Sequence, residues 1–78
     1  MNELILKEYL ADRVVYQYLP EGNGEPGEVA CDIRTQEAFV IIRAPEDQYG
    51  QYGDKALDKI KEYIKEDYLP IHAYQAWY

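Results

Sequence analysis

Few side chains in this sequence carry nucleophilic or proton-transfer chemistry. There is one cysteine, Cys31, one histidine, His72, one threonine, Thr35, and no serine. A serine nucleophile is therefore excluded. A Cys–His pair needs an exposed thiol in electropositive surroundings, because the thiolate is the attacking form. Cys31 instead lies in an alternating apolar run of a chain with net charge −7, and reads as a small buried hydrophobe. His72 has no second histidine to work with and reads as a surface residue, or as one that docks the C-terminal stretch. Thr35 belongs to a turn that accounts for it. These residues form no catalytic set, and the expectation is a protein that is not an enzyme.

Metal binding would fall to carboxylates, of which Asp32, Glu37, Glu46 and Asp47 are the group that one end of a sheet could gather. Their spacing is not that of a calcium-binding loop. The run Gly22–Gly27, GNGEPG, sets an acid where a phosphate would lie and lacks the Lys and Ser or Thr that should follow. No cofactor and no metal are expected.

Tyrosine is the unusual component. Nine tyrosines stand against one Phe and one Trp. The apolar ring and polar tip of Tyr suit core edges, pocket rims and interfaces. Tyr16 and Tyr18 share a strand face, and Tyr49, Tyr52 and Tyr63 share a helical stripe. Tyr74, Trp77 and Tyr78 crowd the C-terminal stretch. One reading is a core built from tyrosine in a domain too small to hide its edges. The other is an aromatic surface for protein partners, where Tyr and Trp are enriched; its candidate residues are Tyr49, Tyr52, Tyr74, Trp77 and Tyr78.

The elements that must position these residues fit one domain spanning residues 1–78. A chain of 78 residues buries only about 60% of its unfolded surface, so the core is thin and association would help it. Residues 3–10, ELILKEYL, alternate as a strand, though Leu6, Tyr9 and Leu10 also fit a helical turn. Val14–Leu19 is a strand rich in β-branched and aromatic residues. Residues 20–28, PEGNGEPGE, form an acidic loop. Val29–Ile33 is a third strand with Cys31 facing inward. In DIRTQE, Asp32 bonds backbone amides two residues on, Thr35 supports the same turn, and Gln36 occupies a position that favours glycine. Ala38–Ala44, AFVIIRA, is apolar almost throughout, which predicts a central strand or one covered on both faces.

Pro45-Glu46-Asp47 signals a helix start. From Tyr49 to Ile64, Tyr49, Tyr52, Gly53, Ala56, Leu57, Ile60, Tyr63 and Ile64 recur at helical spacing. The favoured reading starts the helix at Asp47 and runs it to Asp67, with Gly53 and Ala56 letting its backbone approach the sheet. The alternative leaves YGQYG as a loop and caps a shorter helix at Asp54. Glu66 and Asp67 oppose the helix dipole, which fits solvated acids or a basic partner there. Pro70 stops the helix, and the aromatic tail should dock over a sheet edge, as a fifth strand, or on another subunit. The result is α+β: a two-layer domain in which a four-stranded antiparallel β-meander is covered by one C-terminal amphipathic helix, with a docked aromatic tail.

Composition narrows the partners. Residues 1–47 hold ten acids and four bases, so bare nucleic acid and anionic membrane are unfavourable partners. A lone cysteine favours a reducing compartment, no signal peptide is visible, and a cytoplasmic location is expected. The leading reading is a small acidic protein-interaction module that associates with a protein partner or with itself. The alternatives are an acidic inhibitor that mimics nucleic-acid charge and a small-ligand domain with a tyrosine-lined pocket beneath the helix.

Overall fold

The computed structural model describes residues Met1–Trp77. Five strands, β1 (Asn2–Tyr9), β2 (Arg13–Pro20), β3 (Gly27–Asp32), β4 (Ala38–Ile42) and β5 (His72–Gln75), form one antiparallel sheet in the order β4-β3-β2-β1-β5. The helix α1 (Gln51–Lys65) covers one face. This is the expected α+β meander with one strand more than the four predicted. The extra strand is the tail, which pairs with β1 through Asn2↔Gln75, Glu3↔Tyr74, Leu4↔Ala73 and Ile5↔His72.

Alternation along the strands decides the core. Leu4 on β1, Val14, Tyr16 and Tyr18 on β2, and Val29 and Cys31 on β3 are fully buried. They meet Ala56, Ile60 and Tyr63 of the helix. The ring of Tyr16 lies 5.8 Å from that of Tyr63, and its hydroxyl donates to the carbonyl of Pro70. Gly27 is opposite Tyr18. A Cβ there would fall 2.3 Å from the Tyr18 ring, so only glycine lets that ring lie across β3.

Two boundaries differ from expectation. The helix begins at neither Asp47 nor Asp54. Gly50, with φ 75°, takes the N-cap position, and residues 47–50 form a turn leading into it. The strand β4, read as central from its apolar run, is the edge of the sheet. Phe39, Ile41 and Ile42 are 46%, 43% and 50% exposed. Consecutive hairpins set this order, so β2 is the middle strand and β4 pairs only with β3. An unbroken apolar run marks burial only when both neighbours of the strand are present, and here one is missing.

The β3–β4 turn follows the expected chemistry. Asp32 Oδ1 accepts from the amides of Arg34 and Thr35 at 2.8 and 3.0 Å. Gln36 takes φ 61°.

Candidate functional site

At the head of the helix Asp47 is 1% exposed. Its Oδ1 accepts from the Tyr52 amide at 3.0 Å, and its Oδ2 accepts from the Gly53 amide at 2.8 Å. Those amides belong to the first helical turn, which the Gly50 N-cap leaves without a side-chain partner. Oδ2 also accepts from the Tyr18 hydroxyl at 2.8 Å, and that hydroxyl accepts from the Ala44 amide at 3.0 Å. Burial is the main cause that pushes the Tyr18 phenol up to about 12, and the Asp47 carboxylate beside it adds to the rise. Gly53 permits the approach. A Cβ there would lie 3.0 Å from Asp47 Oδ2 and 3.1 Å from the Tyr18 hydroxyl. The node ties strand, turn and helix together, and every polar group in it is already bonded within the chain.

The candidate aromatic residues separate into different places. Tyr49 is 86% exposed in the turn before the helix. Tyr52 is half-buried, donates to Glu21 Oε2 at 2.8 Å and stacks edge-on against Trp77 at 5.5 Å. Lys55 Nζ lies 5.8 Å from the Trp77 ring centre. Trp77 thus closes the tail onto the helix. Tyr74 is exposed on the sheet face away from the helix, opposite Glu3 in register and 5.0 Å from the His72 ring. The structure therefore joins Tyr52 with Trp77 and keeps Tyr49 and Tyr74 apart from them. Tyr78 lies outside the described residues.

The chemistry-bearing residues do not converge either. Cys31 faces the helix layer, and burial pushes its thiol up. His72 is on the opposite face of the sheet, where Nε2 lies 2.6 Å from Glu3 Oε2. Asp32 and Asp47 are both engaged by backbone amides. Among the described residues no three His, Cys, Asp or Glu side chains gather as metal ligands would. Pro20, Glu21, Asn23, Glu46 and Tyr52 line a shallow cleft beside the helix head. Beneath the helix, the rings of Tyr16, Tyr18 and Tyr63 fill the space.

Protein-family models, curated proteins and solved structures yield no match to the chain. Among the described residues no helix is long and apolar enough to cross a membrane.

The feature that sequence reasoning missed is the edge itself. In the sheet face turned from the helix, Phe39 stands opposite Ala30, and Ile42 opposite Glu28. The bulge between Glu28 and Val29 puts Ile41 beside them. Lys7, the extra residue of a bulge in β1, reaches Glu28 Oε2 at 2.6 Å across β2. Val15 and Ala30 beside this bridge are buried although no helix covers them. The β4 border of this face thus carries three half-exposed apolar side chains, while the β5 border carries the exposed Tyr74. Five uncharged residues there are bounded by Glu37 and Arg43.

Proposed function

We propose that this protein is a non-enzymatic interaction module that associates with a second protein surface, in the first place its own. The observation that carries the reading is the β4 border: an edge strand with three half-exposed large apolar residues on a chain of net charge −7. Exposed edges of this kind invite another strand, and proteins that avoid such pairing blunt the edge with charge or proline. Here Ala38–Ile42 contains neither charge nor proline; its one such device is the bulge at Ile41, which leaves Ala38–Val40 free to pair. The dispersed catalytic-type residues support the non-enzymatic part. A cytoplasmic, reducing setting goes with a single cysteine that is buried and unpaired. The acidic-inhibitor reading has less support, because Glu3, Glu21, Glu28, Asp32 and Asp47 are tied up in bonds within the chain.

Sedimentation velocity over a concentration series, at low and moderate salt, tests this. The expected outcome is a concentration-dependent larger species that moderate salt preserves or strengthens, because salt screens the repulsion between two acidic chains. A monomer at every concentration and both salt levels would remove the self-association reading.

A further inference from the structure

We propose that residues 70–77 form a releasable strap. The segment lifts from β1 as one unit while the other four strands and the helix stay folded, and so uncovers a strand edge that the closed chain keeps paired. The inference concerns a single chain and stands apart from the self-association reading. Its first ground is where burial lies. β1, β2, β3 and α1 each supply buried side chains, whereas no residue of 70–77 is buried. Ala73 only packs at the border of the core. The strand β5 has one neighbour, β1. The His72–Glu3 pair is partly exposed, and pairs of that kind hold weakly. Few buried apolar contacts mark a segment that opens locally.

The second ground is the joint between strap, β1 and helix. Asn2 is fully buried. Its Nδ2 donates to the Tyr52 carbonyl at 2.9 Å and to Gln75 Oε1 at 3.1 Å, and Gln75 Nε2 donates to the Lys55 carbonyl at 2.7 Å. Asn2 Oδ1 is buried without a partner. An unpaired buried carbonyl oxygen carries a desolvation cost. Lifting Gln75 away returns that oxygen to water, so the cost belongs to the closed form. The connection, residues 66–71, holds Asp67 at φ 55°, and Tyr68 and Ile71 in it are 66% and 75% exposed. Moving it therefore uncovers little. Two bonds fasten it, from the Tyr16 hydroxyl to the Pro70 carbonyl and from the Leu6 amide to the Ile71 carbonyl.

The Leu6–Ile71 bond also fixes the parity of the β1–β5 ladder. Bonded pairs alternate along an antiparallel ladder. Leu4↔Ala73 and Asn2↔Gln75 are therefore bonded pairs, and the amides of Leu4 and Leu6 face the strap. On the other side of β1 the Glu21 amide bonds the Met1 carbonyl. Glu3↔Leu19 and Ile5↔Gln17 are then the bonded pairs, and the amides of Glu3 and Ile5 face β2. Neighbouring amides of one strand thus report on different events.

Residue-resolved amide hydrogen exchange by NMR on the full chain is the test. After correction for intrinsic rates, Leu4, Leu6, Ala73 and Gln75 should share one protection factor, roughly tenfold or more below that of Glu3 and Ile5. Ile60→Val thins the core, which is intact in both the closed and the open chain. It should speed exchange at Glu3 and Ile5 several-fold and leave the strap set unchanged. Equal protection of the two sets, or an equal response of both to Ile60→Val, would mean that the segment opens only with the whole fold, and would overturn the proposal. Protection that rises steadily from Gln75 through Ala73 and Leu4 to Leu6 would overturn it too, because a fraying end is not a unit.

Discussion

Gly50 occupies the N-cap of the helix and has no side chain to offer, so the carboxylate of Asp47, placed earlier in the turn, bonds the free amides instead. Capping substitutions of this sort cost about 0.5–2 kcal/mol at exposed helix ends. At a buried node the loss also strands donors, at about 1–3 kcal/mol each. Asp47→Asn should therefore destabilise the fold by about 2–3 kcal/mol, since one of its two oxygens becomes a donor facing donors. Tyr18→Phe should cost about 1–2 kcal/mol, because the Ala44 amide and one carboxylate lone pair lose their partner. Urea denaturation of both single variants and the double variant should show coupling of about 1 kcal/mol, and strict additivity would mean the hydrogen bond between them contributes nothing. The sequence made part of this node legible. Pro45-Glu46-Asp47 announced a helix start, and Gly53 was readable as a place of close approach. The partnership with Tyr18 was not readable, because it joins residues 29 positions apart, and no local pattern encodes such a contact.

The elements were legible in proportion to how cleanly they alternate. The inward positions of the first three strands are apolar apart from Asn2 and the outward ones mostly polar, with Ile5, Val15, Leu19 and Ala30 as exceptions, and these strands appear where expected within a residue or two. The run AFVII lacks alternation, and an edge strand with an exposed apolar face writes the same letters as a central strand buried on both sides. That ambiguity hid the candidate site, which depends on which neighbour is absent rather than on the residues themselves. The tail was readable as something that docks, and its pairing with β1 was one of several outcomes. At the other end of the helix the acids Glu66 and Asp67 looked unfavourable against the dipole. The backbone explains one of them. Asp67 has φ 55°, its amide donates to the Ile64 carbonyl at 3.1 Å, and the Tyr68 amide donates to the Tyr63 carbonyl at 3.0 Å. This is the left-handed closing turn of a helix, where glycine is the usual occupant and aspartate is among the few tolerated alternatives. Asp67→Gly removes both the steric cost and a misplaced negative charge. It should raise stability by about 0.5–1 kcal/mol, seen as a higher urea midpoint with unchanged slope. A lower midpoint would show that the carboxylate has a favourable role which the geometry does not reveal.

For the molecule as a whole, the tyrosine-built core links stability to alkaline pH. Burial raises the phenols of Tyr16, Tyr18 and Tyr63, with Tyr18 pushed up to about 12. An unfolded tyrosine loses its proton near pH 10. A raised folded value means that the neutral phenol is favoured in the native state. The associated stability is fully present below about pH 10 and falls as pH rises toward 12, where the unfolded chain binds fewer protons than the folded one. Thermal melts between pH 9 and 12, with tyrosinate absorbance followed in parallel, should show melting temperature dropping as a late group of phenols ionises together with unfolding. Full ionisation of every tyrosine with the fold intact would contradict this. The same thin core makes it reasonable for a small acidic chain to gain from a partner, since doubling the sheet adds burial that one copy lacks.

The fifth strand also dictates an order of events in time. The outer edge of β1 is completed by residues 72–75, and the bond from Asn2 to Gln75 closes a loop of 73 positions. Such distant closures are the slow steps of folding, because loop entropy is lost before the contacts are gained. On the ribosome, β1 must hold one flank open until residues 72–75 have been made. During synthesis the chain therefore presents unpaired borders at β1 and at β4, and the arrival of β5 covers the first while becoming the outer edge on that side.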